Sequence, residues 1–129
     1  MAKLAARAAE STLIDYAMSF PGAWKDYPWE HTVTKVGKKV FVFFGGDAAP
    51  PDQLSLTVKL PISSEMALTL PYVSRAGHGL GKAGWVHVSQ TTGDDIDIET
   101  LRGWIAQSYR AVAPVKLIKQ LDAPKETAA

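Results

Sequence analysis

Apolar residues recur along this chain with two periods, and the switches between those periods predict its order of elements. Leu13, Ile14, Ala17, Met18 and Phe20 fall near the helical period, so residues 12–19 read as an amphipathic helix. Ser11 or Thr12 is its expected N-cap, and Pro21-Gly22 its stop. Residues 1–11 are then an N-terminal extension that prolongs the helix or frays. Thr32 to Val36 and Lys39 to Phe44 are two β-rich runs joined by Gly37-Lys38, which is hairpin patterning. The second run is apolar on both faces, so one face meets helices while Phe41 and Phe43, or their alternates, look the other way. Leu54 to Leu60 alternates cleanly, with the leucines and Val58 inward and Ser55, Thr57 and Lys59 outward.

Past Pro61 the pattern becomes helical again. Residues 63–70 predict a short helix capped by Ser63, with Met66 and Leu70 inward. Tyr72 to Ser74 and Trp85 to Ser89 have strand character and flank a glycine-rich loop carrying Arg75, His78 and Lys82. If Val86 and Val88 face the helices, Trp85, His87 and Ser89 share the open face with Lys59. Leu101, Ile105, Ser108 and Val112 line one side of a last long helix, flanked by Trp104 and Tyr109, with Asp97 and Glu99 complementing its N-terminal dipole. Pro114 breaks it, residues 115–121 dock as a final turn, and residues 122–129 form a tail. The aromatic connection Ala23 to Glu30 closes the end of the core with Trp24, Tyr27 and Trp29, or alternatively offers them as a stacking platform. The whole is an α+β domain over residues 12–121, an antiparallel sheet with helices packed on one face.

Composition narrows the function classes. The chain has 129 residues, 47% hydrophobic and 21% charged, which fits one domain. It has no cysteine, so thiolate metal sites and cysteine nucleophiles are excluded, and no apolar run approaches the roughly 20 residues that span a bilayer. A cytoplasmic protein without membrane attachment is expected. The net charge is only +1, so any polyanion site must be a local patch. Lys35, Lys38, Lys39, Lys59, Arg75, His78 and Lys82 are its candidates, with Trp85 as a stacking surface. Each is more simply a solvated charge or, for Trp85, a core aromatic.

Enzymatic readings find little support. Gly77 to Lys82 superficially resembles a phosphate loop, but such loops open a helix, whereas residues 83–89 read as strand. His31, His78 and His87 have no metal-ligand spacing, and no nucleophile elbow is present. No catalysis, metal or cofactor is expected. An iron site would need clustered carboxylates, and the first helix offers only Glu10 and Asp15.

Several short motifs occur together: Phe20-Pro-Gly-Ala, Lys35-Val-Gly-Lys-Lys-Val-Phe, Ser55-Leu-Thr-Val-Lys, Gly81-Lys-Ala-Gly-Trp85 and Ser108-Tyr109. In order and spacing they resemble the MmcQ/YjbR family of small bacterial proteins, over roughly residues 12–121. The resemblance implies a fold of the CyaY or frataxin class and DNA binding by a double wing. The first wing would be Lys35 to Lys39 and the second Arg75 to Trp85, here lengthened by Gly77 and Gly79. Binding would be weak and largely indifferent to sequence, since no recognition helix is present. The competing expectation is a protein-interaction or homodimerisation domain that uses aromatics on the open sheet face.

Overall fold

The computed structural model describes residues 6–27, 31–45, 52–77, 84–91 and 96–122. In chain order these form α1 (Ala6–Met18), β1 (Ala23–Asp26), β2 (Thr32–Val36), β3 (Lys39–Phe44), β4 (Gln53–Lys59), α2 (Ser64–Ala67), β5 (Val73–Arg75), β6 (Trp85–Thr91), α3 (Ile98–Val112) and α4 (Val115–Asp122). The strands make one antiparallel sheet in the order β1-β2-β3-β4-β6-β5. The first four are consecutive neighbours. β6 then inserts between β4 and β5, and the connection carrying α2 crosses it.

Alternation puts one face of the sheet under the helices. Val42, Phe44, Leu54, Leu56, Val58, Val86 and Val88 meet Leu13 and Ala17 of α1 and Leu101 and Ile105 of α3. Burying such apolar side chains stabilises the fold by about 1.5–3 kcal/mol each. The predicted α+β layer, the β2–β3 hairpin and the inward side of β4 and β6 are all present.

The departures have local causes. Ala6 and Ala9 of α1 extend the buried stripe of Leu13 and Ala17, so Ser11 and Thr12 lie within the helix instead of capping it. Residues 6–11 prolong the helix and pack on the core through Ala6 and Ala9. The connection after α1 contains the edge strand β1, and Trp24 and Tyr27 are 42% and 61% exposed, so they do not close the core. Trp29 lies outside the described residues. α2 is a single turn in which Ala67 is buried and Met66 is 67% exposed, and Ser63 makes no side-chain cap.

β3 contains a bulge. Thr34 pairs with Val42 but Lys35 pairs with Val40, so Phe41 is the extra residue and turns to the helix side, fully buried. Of the two phenylalanines expected to face outward, only Phe43 does. The bulge is held from above by α3. The Ser108 hydroxyl donates to the Phe41 carbonyl and accepts from the Lys59 amide at 2.9 Å. Next to it, the Tyr109 ring stacks on Phe20 at 4.7 Å and meets Phe41 edge-on at 5.3 Å, while its hydroxyl donates to the Pro21 carbonyl at 2.6 Å. Burial raises the pKa of that phenol, which keeps it a donor.

Candidate nucleic-acid interface

Antiparallel pairing decides which ends of the strands lie together. β2 runs toward the Gly37-Lys38 turn, and β4 and β5 run the same way, ending at Lys59 and Arg75; β6 starts there with Trp85. The first cationic tip and both roots of the second therefore emerge at one end of the sheet. Three interstrand spacings separate the two hairpins, about 14 Å. Residues 78–83, including His78 and Lys82, lie outside the described residues.

Both hairpins are rooted by glycines in the left-handed region. Gly37, at φ +61°, makes the tight turn between β2 and β3. Gly84, at φ +89°, brings its carbonyl 2.8 Å from the Leu60 amide, and a Cβ there would lie 3.2 Å from the Leu60 carbonyl oxygen. The second loop thus leaves the sheet from a fixed point against the end of β4.

The cations differ in their surroundings. Lys35 Nζ lies 2.9 Å from Asp26 Oδ2 and 5.1 Å from the centroid of the Trp24 ring, whose Nε1 donates to the Gly37 carbonyl. That bond to Lys35, with the Tyr27 amide, holds the Asp26 carboxyl below its usual pKa. Lys35 is thereby engaged in bracing the hairpin. Lys38, Lys39, Lys59 and Arg75 make no ion pair among the described residues. They straddle the sheet edge: Lys59 is in register with Trp85 on the open face, whereas Lys39, opposite Val36, and Arg75, opposite Val86, lie on the helix side.

Trp85 reaches the open face as alternation requires, but it is 8% exposed and meets Phe43 edge-on at 5.5 Å. Val33, in register with Phe43, is 1% exposed. Trp85 is therefore packed into that face and is not laid open as a stacking platform. Beside it runs a polar row. His87 Nδ1 lies 2.9 Å from Thr57 Oγ1 and Nε2 lies 3.3 Å from Ser55 Oγ, while Gln53 donates to Ser89 at 2.6 Å. Burial lowers the His87 pKa, favouring the neutral ring.

Among the described residues no three His, Asp or Glu side chains cluster so as to hold a metal ion, and no helix is long and apolar enough to cross a membrane. Sequence reasoning missed the Asp26 partner of Lys35 because it missed β1. A carboxylate two residues past a tryptophan, in Trp24-Lys25-Asp26, was the available signal.

Comparison with known proteins agrees with this architecture. The chain is similar to the crystal structure of Deinococcus radiodurans protein DR2400, which has family-model domain DUF419, at 21% identity and a TM-score of 0.68, covering 95% of this chain and 98% of that one. It is also similar to the crystal structure of a protein from Pseudomonas syringae at 16% identity and a TM-score of 0.58, covering 78% of this chain and 96% of that one. No curated protein matches. The YjbR family model matches residues 18–111, the span running from the end of α1 through the Ser108-Tyr109 anchor of α3, and the chain belongs to the YjbR family.

Proposed function

We propose that this chain is a non-catalytic cytoplasmic protein that holds the phosphate backbone of DNA along the cationic end of its sheet, weakly and without reading bases. The observation that carries this is the juxtaposition of Lys38, Lys39, Lys59 and Arg75 at one end of the sheet with no carboxylate partner among the described residues. The roughly 14 Å between the hairpins corresponds to about four nucleotides of one strand measured along the helix axis, at about 3.4 Å each. Because the cations lie on both sides of the edge, the backbone would track the edge itself, with Lys82 contributing from the second loop.

Neutralising about four to five phosphates gives an expected slope near −4 in a plot of log affinity against log salt. Fluorescence anisotropy of a labelled duplex across salt concentrations measures it, and a scrambled duplex should bind equally well. Absence of saturation at high micromolar protein in low salt would remove the proposal.

A further inference from the structure

On the helix side of the first hairpin tip, Val36, Lys38 and Lys39 face Val112, Pro114 and Val115 across a cavity of about 500 Å³ that opens to solvent. Its size falls within the range of small-molecule sites. Pro114 creates the corner by ending α3, and α4 restarts at Val115. Lys39 reaches the cavity through its register with Val36, which keeps it off the open face.

The lining combines two unusual features. The floor is apolar: Val36 is 2% exposed, and Leu117, Ile118 and Leu121 of α4 pack on the core, yet Val115 of the same helix is 67% exposed. Folding makes no use of that side chain. The rim is cationic: Lys38 and Lys39 are exposed, and among the described residues they form no ion pair and no Asp or Glu lines the cavity. A neutral apolar ligand would leave the ammonium groups unused, and a bare phosphate would leave the floor unused. Electrostatic and apolar complementarity together select an anion with an apolar body.

We propose that this corner binds a small, free amphipathic anion, a monocarboxylate on a short unbranched chain. The carboxylate sits between Lys38 and Lys39 and the chain lies along Val112 and Val115. Nothing in this requires DNA, Lys59 or Arg75, so it goes beyond the DNA-binding reading and stands or falls separately.

The test is titration of the ¹⁵N-labelled protein with sodium octanoate in the absence of nucleic acid. Saturable amide shifts are expected at Gly37, Lys38, Lys39, Ala113 and Val115, with a Kd of about 1 mM for so small a ligand. The Lys38→Gln, Lys39→Gln double variant should weaken binding about tenfold, as should replacing octanoate with octan-1-ol or with inorganic phosphate. Val115→Asp should abolish it. These side chains are exposed, so the variants keep the fold, which far-ultraviolet circular dichroism verifies. No saturable shift, equal affinity for octan-1-ol or phosphate, or undiminished binding by the variants overturns the proposal. Duplex anisotropy of the wild-type chain is unaffected by any of these results, so the two failures are distinguishable.

Discussion

Two regions of this molecule are built on opposite principles. Where α3 crosses the sheet, the motif residues Phe20, Phe41, Ser108 and Tyr109 satisfy one another: rings stack, and each buried hydroxyl finds a carbonyl. At the cationic end, Lys38, Lys39, Lys59 and Arg75 find no counter-charge among the described residues. A side chain whose bonds are complete inside the molecule explains the fold. One whose charge is left over points to something outside it.

That contrast can be broken by experiment. The largest effect is expected from Phe41→Ala, which removes a fully buried ring and should cost about 3–5 kcal/mol in urea denaturation. Ser108→Ala comes next, because it strands both the Phe41 carbonyl and the Lys59 amide; about 2–3 kcal/mol should be lost by the same measurement. If either variant were as stable as the parent, the anchor would not be what holds α3 to the sheet.

Replacing Lys38, Lys39, Lys59 and Arg75 together with alanine should change stability by less than about 1 kcal/mol while removing duplex binding in the anisotropy assay. Each single replacement should lower the salt slope by about 1. Lys35→Met is the matched control: its charge is already held by Asp26, so the slope should stay unchanged. A fall in slope equal to that from Lys38→Ala would erase the distinction between engaged and unengaged cations.

The smallest effect concerns His87. Burial sets its folded pKa below the ordinary 6.5, so below that pH the unfolded chain binds more protons and folding stability falls as pH drops toward the folded value. Above pH 6.5 the ring is neutral in both states and contributes no pH dependence. The urea midpoint measured as pH is lowered from 7 should decline more in the parent than in His87→Gln.

The fold was legible wherever a periodic signal ran long enough. Seven alternating residues fixed the faces of β4, and the four-residue-spaced stripe of α3 placed Leu101 and Ile105 on the core. Short or weakly apolar segments were not legible. β1 is Ala-Trp-Lys-Asp with no β-branched residue, and the first two turns of α1 are packed through alanines that carry little hydrophobic signal. The site was legible as a set of cations, since charge is a property of single residues. Which of them were already paired was not, because Asp26 reaches Lys35 only through the pairing of β1 with β2. Likewise the motif Ser108-Tyr109 could be spotted but not understood until Phe41 was seen beneath it.

The bulge in β3 also acts as a parity device. Were the same residues paired without the bulge, strict alternation from Val42 would turn Phe41 outward and put Lys39 on the same surface as Lys59, and the α3–α4 corner would be left with a single ammonium group. Accommodating Phe41 as a bulge in the strand interior therefore determines, from a distance, which surface a charge at the hairpin serves. Regular pairing of these same residues would rewire the electrostatics of the edge without altering any charged residue.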